Sequence, residues 1–280
     1  MKTRVLTGLL IIAVMTAILF VSFTIIYPIV ISLLAAVAAY EMLKTLGLHK
    51  KLAVSIPAYV IAAAMPMLAY LLGEILGKPE TLFIIILALA LFVLMMWIFV
   101  VSVFMKNGTS FSDLCAGLVT VIYITASFSS LVILRYIDKI GLFCLGMALV
   151  GAWISDVFAY FTGVLFGKHK LIPEVSPKKT VEGSVGAIVC TTFSMMLYGF
   201  LVHLFSGLTP NYPVLAISGA VLSVVGQLGD LFASVVKREH GVKDYGTLLP
   251  GHGGIMDRFD SLLAVCAVAM IISLLFAPFS

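Results

Sequence analysis

The chain has 280 residues, of which 62% are hydrophobic and 11% charged, and its formal net charge is +4. Soluble domains contain about 45–50% apolar and about 25% charged residues, so this composition excludes an ordinary soluble protein. Uncharged runs of about 18 or more residues recur along the chain and are long enough to cross a bilayer as helices. The composition therefore predicts an all-α, polytopic integral membrane protein. The small net charge gives no reason to expect a nucleic-acid partner.

Gaps between charged residues predict about nine transmembrane helices. The N-terminal run could also be a secretory signal, but it is too long and lacks a small-residue cleavage site, which favours an uncleaved span. The predicted spans are residues 5–26, 28–43, 52–73, 81–105, 114–134 and 140–163, two spans from 183 onwards that the turn 207–213 separates, and 258–276. We expect a single transmembrane domain over residues 1–280, with N-terminal helices in 1–140 and the more polar loops in 141–280.

Four cysteines fall inside apolar runs: Cys115, Cys144, Cys190 and Cys266. Their spacing matches neither a CxxC pair nor a set of metal ligands. We expect them to be small core residues rather than disulfides or ligands.

The distribution of Lys and Arg predicts the orientation. Nine spans place the termini on opposite sides, and a cytoplasmic N-terminus leaves only Lys78, Arg135 and Lys139 of the 17 basic residues outside. The positive-inside rule therefore favours this orientation. It puts the long polar loops 164–182 and 233–257 in the cytoplasm and Ser280 outside.

Four acidic residues are predicted to reach one depth near the cytoplasmic face. Asp156 lies about 17 residues into its span, or about 25 Å along the helix, and Asp230 lies about 10 Å before Lys237 on a continuous helix. Asp257 and Asp260 begin the last span at the same level. A single intramembrane Asp can serve a helix–helix hydrogen bond, but clustered carboxylates favour a divalent cation with oxygen ligands.

Basic residues and glycines accompany these acids in residues 226–260. Backbone N–H groups around His252-Gly253-Gly254, just before a predicted helix start, could cradle an anion. Together with a metal they predict a polyphosphate site. The alternative for each basic residue alone is contact with lipid headgroups, which we accept for Lys44, Lys50, Lys51 and Lys106. The basic residues nearest the acids are Lys237, Arg238, Lys243 and Arg258.

The residues of this segment resemble the signature of the phosphatidate cytidylyltransferases, also called CDP-diacylglycerol synthases. The match runs through Ser234-x-x-Lys237-Arg238, Lys243-Asp244-x-Gly246 and Pro250-x-His252-Gly253-Gly254-x-x-Asp257-Arg258-x-Asp260. A second block is similar to the same family: Ser155-Asp156-x-Phe158-Ala159-Tyr160-Phe161-x-Gly163, Phe166-Gly167-Lys168-His169-Lys170 and Ser176-Pro177-x-Lys179-Thr180-x-Glu182-Gly183. The resemblance covers about residues 150–262, and the first 140 residues agree only in being hydrophobic.

The resemblance implies an enzyme that joins CTP to phosphatidic acid with Mg²⁺, giving CDP-diacylglycerol and pyrophosphate in phospholipid biosynthesis. It implies Asp230 and Asp257 as metal ligands, and we add Asp156 as a further ligand. It also implies a monovalent cation such as K⁺ and a homodimer, which no pattern in this chain indicates by itself.

The hypothesis assigns roles to the remaining polar residues. The residues expected to act directly on the reacting phosphates are Asp230, Asp257, Asp260, Lys237, Arg238 and Arg258. Those expected to bind CTP or the lipid phosphate are Ser176, Lys178, Lys179, Thr180, Ser234, Lys243, Asp244, His252, Gly253 and Gly254. The alternative for residues 176–180 is a solvated basic loop. Rival functions are a CTP-dependent lipid kinase and an ion-coupled transporter, in which Asp156 and Asp230 would relay ions.

Overall fold

The fold is known from a computed structural model that describes residues 13, 16–76, 79–104, 110–137 and 139–280. Of the first predicted span, 5–26, residues 5–12, 14 and 15 lie outside the described residues. The helices with defined bounds in the described residues are α1 (Ile26–Thr45), α2 (Leu52–Leu76), α3 (Pro79–Phe104), α4 (Phe111–Tyr136), α5 (Gly141–Phe166), α6 (Val181–Ser206), α7 (Tyr212–Glu239) and α8 (Met256–Phe276). A short antiparallel hairpin pairs β1 (Lys170–Ile172) with β2 (Ser176–Thr180).

Seven of these helices are long and apolar enough to cross a membrane, counting only the part of the chain that the structure describes. The remaining helix, α3, contains the shorter apolar segment Ile85–Val101. The prediction of an all-α polytopic membrane protein is therefore confirmed. Two prolines inside α2, Pro57 and Pro66, interrupt the backbone hydrogen bonds of that helix, which membrane helices tolerate.

Helix α7 extends further than the sequence pattern indicated. The predicted loop 233–257 is confined to residues 240–255, because α7 continues through Glu239. Glu, Lys and Arg are good helix formers, and basic side chains in a last turn interact favourably with the helix dipole. The chain leaves the helix only before Gly241, whose φ of 67° is a left-handed conformation that glycine adopts without strain.

The chain divides into two compact units. The first contains residues Met1–Ile133 and His240–Arg258, and the second contains Leu134–Glu239 and Phe259–Ser280. The prediction of one domain over 1–280 stays a prediction. In the first unit, a buried apolar cluster has members from helices α1, α2, α3 and α4. The members of the cluster are Leu43, Leu48, Val54, Ala58, Leu94, Ile98, Val101, Leu114 and Val121.

Small residues allow close helix packing in the second unit. A Cβ at Gly219 of α7 would lie 2.7 Å from the Cα of Thr192 on α6, and a Cβ at Gly151 of α5 would lie 2.9 Å from Leu222 on α7. Helices α5, α6 and α7 therefore approach one another closely through glycines. The predicted turn at 207–213 lies between α6 and α7, where the Thr209 and Ser280 backbones exchange hydrogen bonds of 2.7 and 3.0 Å.

Candidate active site

A cavity of about 210 Å³ opens in the second unit where β2 meets the ends of α5, α6 and α7. Its walls include the acidic, basic and amide groups that the sequence placed on separate segments. The lining residues are Asp156, Ala159, Tyr160, Leu171, Lys179, Thr180, Gly183, Ser184, Gln227 and Asp230.

An ion pair crosses this cavity. The Lys179 Nζ lies 2.6 Å from the Asp230 Oδ2, and the two side chains are 24% and 29% exposed. The pair is therefore reachable from the cavity. The hairpin brings Lys179 there because β2 ends at Thr180, immediately before α6.

Three carboxyl groups of the second unit interact electrostatically. Asp230 lies within range of both Asp156 and Asp260, and Asp156 within range of Asp260. The Ser261 hydroxyl donates to the Asp156 Oδ2 at 2.8 Å, and the Ser261 N–H donates to the Asp260 Oδ1 at 2.9 Å. Lys237 is buried, and its positive charge attracts the Asp260 carboxyl group, whereas the other two carboxyl groups repel it. Three of the four acids predicted to reach one depth therefore interact within this unit, and their role as a site stays a prediction.

A polar network around Gln227 extends from the wall of the cavity. The Gln227 side chain is 7% exposed and donates to the Ser223 Oγ at 3.2 Å, and the Ser155 and Ser223 hydroxyls lie 2.8 Å apart. The Ser184 hydroxyl donates to the Gln227 Oε1. The spacing of Gln227 and Asp230 indicates that both lie on one polar face of α7, whereas the contacts with Ser155 and Ser184 on other helices have no local sequence pattern.

The hairpin residues divide between structural and exposed positions. The Thr180 Oγ1 accepts from the Gly183 N–H at 3.1 Å and so caps α6, while Thr180 is 7% exposed. Ser176 is half-buried opposite Ile172, and Lys178 is exposed. A binding role for Ser176, Lys178 and Thr180 stays a prediction.

The glycine-rich loop 240–255 belongs to the first unit and surrounds Asp257. This side chain is 7% exposed, and its Oδ2 accepts from the N–H groups of Tyr245 and Gly254 at 2.8 and 2.9 Å. A Cβ at Gly253 would lie 2.7 Å from the same oxygen, and the φ of Gly253 is 82°. The loop therefore wraps its backbone around this carboxyl group.

Four of the N–H groups around the expected anion cradle, those of His252, Gly254, Ile255 and Met256, have protein acceptors. The Gly254 N–H bonds to Asp257, and the N–H groups of Ile255 and Met256 bond to Glu41 of α1 at 3.2 and 2.9 Å. The His252 N–H bonds to the Leu249 carbonyl at 2.9 Å. The assignment of His252, Gly253 and Gly254 to a bound phosphate stays a prediction.

Glu41 was absent from the sequence-based site. It is only 4% exposed, although it lies inside the predicted second span. An acid within an apolar span is a functional candidate by default, and this was the signal that could have found it.

The remaining predicted residues lie on α7, on the loop and at the start of α8. Ser234 is 9% exposed on α7, where Arg238 is exposed near the end of the helix. Lys243 and Asp244 are exposed on the loop, and Arg258 is exposed at the start of α8. Among the residues that the structure describes, no three His, Cys, Asp or Glu side chains are arranged to hold a metal ion by themselves.

Comparison with known proteins gives the family. The sequence model of the "Cytidylyltransferase family" matches residues 2–276. The phosphatidate cytidylyltransferase of Bacillus subtilis (strain 168) is 37% identical over 269 residues, which cover 95% of this chain and 94% of that protein. The enzyme of the same name from Staphylococcus haemolyticus (strain JCSC1435) is 33% identical over 95% of this chain and 96% of that protein. One from Staphylococcus epidermidis (strain ATCC 12228 / FDA PCI 1200) is 43% identical over 164 residues, or 59% of this chain and 60% of that protein.

The apolar helices and the charged cavity define the class: an integral membrane nucleotidyltransferase. Within that class, the chain belongs to the cytidylyltransferase family.

Proposed function

We propose that this protein transfers CMP from CTP to phosphatidic acid and forms CDP-diacylglycerol and pyrophosphate. The observation that carries the proposal is the cavity in which Lys179 meets Asp230 and Asp156, since phosphoryl substrates need both a cationic side chain and acidic groups for a divalent cation. The names of relatives that match 95% of the chain support the same reaction.

The reaction requires no strong general base. An oxygen of the lipid phosphate monoester, already anionic at pH 7, would attack the α-phosphorus of CTP and form the new P–O bond. The bond between the α-phosphorus and the bridging oxygen would break, and its electron pair would leave with pyrophosphate. Catalysis would then consist of positioning and charge neutralisation.

The basic side chains would bind phosphate oxygens. Lys179 would exchange its contact with Asp230 for a phosphate, and Lys237 would hold the Asp260 carboxyl group in place through their attraction. Arg238, Lys243 and Arg258 are exposed, so their cationic groups would be accessible to the triphosphate or the lipid phosphate.

The donor chemistry of the acids fits Mg²⁺. Carboxylate oxygens are its usual protein ligands, and it takes only one or two of them and completes its shell with water and substrate phosphates. The candidate ligands are Asp230, Asp257 and Asp156, of which one or two would hold the ion. When bound, the ion would neutralise charge on the CTP phosphates and on the leaving pyrophosphate.

The proposal includes an orientation and an assembly. The N-terminus and loops 164–182 and 240–255 would face the cytoplasm, so that CTP enters from the cytosol while the lipid tails stay in the bilayer. The K⁺ ion and the homodimer that the family resemblance implies belong to the proposal as well.

The purified protein in liposomes tests the reaction. Pyrophosphate should appear only when CTP, phosphatidic acid and Mg²⁺ are all present, and a chelator should stop its release. Diacylglycerol should not replace phosphatidic acid, because it lacks the attacking oxyanion. Phosphorylation of diacylglycerol would instead indicate a lipid kinase, and the absence of any CTP-dependent product would contradict the proposal.

A further inference from the structure

A buried carboxyl group from the N-terminal part of the chain contacts the glycine-rich loop 240–255. Glu41 of α1 is 4% exposed, and its two oxygens accept separate backbone N–H groups, Ile255 at 3.2 Å and Met256 at 2.9 Å. These amides begin α8, where the first-turn N–H groups have no partner within the helix.

The loop leaves room for this carboxyl group by means of glycine. A Cβ built at Gly254, or at Gly246, would overlap the Glu41 carboxyl group. Both glycines belong to the motif segments that precede Asp257. A side chain at either position would therefore clash with Glu41.

The same loop positions Asp257 directly. Gly254 donates its N–H to Asp257 at 2.9 Å, and the next two N–H groups along the chain donate to Glu41. Two carboxyl groups thus hold three consecutive amides, so a shift of the Glu41 contact would move the backbone that carries Asp257.

We propose that Glu41 is a positioning residue: it fixes the backbone at Ile255 and Met256 and thereby the placement of the Asp257 carboxyl group. The inference rests on the proposed function for its effect on turnover. It gives the N-terminal part of the chain an indirect role in the reaction, through a residue outside the motif segments. Removal of a group that orients a metal ligand typically lowers metal affinity or activity by about 10- to 100-fold.

The E41Q variant tests this role with little change in size. A carboxamide has one acceptor oxygen and one donor NH₂ group, so it can match only one of the two N–H groups. We expect kcat to fall by about 10- to 100-fold and the Mg²⁺ concentration for half-maximal activity to rise. The KM for CTP should change little, because Glu41 contacts the loop backbone. The matched control is E174Q at the exposed turn of the hairpin, which should retain wild-type kinetics.

Hydrogen exchange at single amides provides a readout that does not depend on activity. In the wild-type protein the amides of Ile255 and Met256 should be protected, and in E41Q they should exchange faster while the rest of α8 stays protected. Wild-type kcat and Mg²⁺ dependence in E41Q would overturn the proposal, as would unprotected amides at 255 and 256 in the wild-type protein. Exchange in the wild-type protein tests the contact between Glu41 and these amides even if E41Q does not fold. A wild-type protein that releases no pyrophosphate would contradict the proposed function. The exchange data would still show whether Glu41 holds the amides of Ile255 and Met256.

Discussion

The two aspartates nearest the proposed chemistry are held by different kinds of partner. Asp230 pairs with the Lys179 ammonium group at 2.6 Å and is 29% exposed, whereas Asp257 is 7% exposed and bonds to backbone amides. A lysine can move toward an incoming phosphate, but the backbone amides cannot leave Asp257 without a change in the loop. Asp257 is therefore the more rigidly placed of the two.

The Asp257→Asn variant tests the metal assignment at this residue. The Asn oxygen can still accept the N–H groups of Tyr245 and Gly254, so the loop should keep its shape. The loss of charge removes the hard anionic ligand that Mg²⁺ requires. We expect turnover to fall by more than about 100-fold, which exceeds the effect of losing a group that only orients a ligand. Pyrophosphate release from folded, purified protein measures this.

Lys44→Ala is the control for that variant. Lys44 is exposed and lies over the Tyr40 ring at 5.8 Å, and it belongs to the set of lysines assigned to lipid contact. Its removal should leave turnover close to wild type. If Asp257→Asn keeps a near wild-type rate at ordinary Mg²⁺, the assignment of Asp257 as a ligand is wrong.

At the residue scale, motif spacing predicted the acids but not their partners. The placement of Asp156, Asp230 and Asp260 in one unit follows from helical geometry and predicted depth, which sequence provides. The contact between Lys179 and Asp230 depends on how a hairpin folds back onto α7. The contact between Glu41 and Met256 joins residues 215 positions apart, and no local pattern encodes it.

At the scale of elements, the hydrophobic runs predicted the membrane helices but did not indicate the polar segments of secondary structure. The β1–β2 hairpin was missed because its residues, Lys170 to Thr180, are mostly exposed and have no apolar alternation. The end of α7 was placed too early because charged residues were taken to mark a loop, although they are good helix formers. Both errors concern polar segments, for which hydropathy gives no boundary.

Close packing between α7 and α8 is the element-level feature nearest the carboxyl groups. A Cβ at Gly229 would lie 2.8 Å from both the Asp260 carbonyl oxygen and the Ala264 Cβ, whereas a Cβ at Gly226 would lie 3.2 Å from a Val265 methyl group. Gly229→Ala should therefore separate the helices beside Asp230 and Asp260 and lower the free energy of unfolding by about 1–3 kcal/mol.

Gly226→Ala provides the matched comparison, since it lies on the same helix and meets a side chain that can adjust. We expect Gly229→Ala to reduce both thermal stability in detergent and turnover more than Gly226→Ala does. Equal stability and equal turnover in the two variants would show that the approach of α7 to α8 does not limit the site.

At the scale of the whole molecule, composition predicted the class, and the described helices confirm it. The direction of insertion rests on the distribution of Lys and Arg, which acts through the membrane rather than through contacts within the protein. It therefore stays a prediction that needs a labelling experiment.

Helix α6 offers the most direct topology test. Its 26 residues span about 39 Å at 1.5 Å per residue, more than the roughly 30 Å apolar core of a bilayer. Lys178 precedes α6 and Asn211 follows it, and both are exposed. Cysteines placed at these two positions, in a background lacking the native four, should react with impermeant reagent from opposite faces, with Lys178 cytoplasmic. Reaction of both from the same face would contradict the predicted spans.

The position of the bond that breaks in CTP tests the central claim most directly. CTP labelled separately on its α- and γ-phosphates would be supplied with phosphatidic acid and Mg²⁺ to the purified protein in liposomes. We predict that the α-label enters the lipid fraction while the γ-label stays in water as pyrophosphate, in equal molar amounts. Appearance of the γ-label in the lipid with free CDP as the second product would contradict nucleotidyl transfer and identify phosphoryl transfer instead.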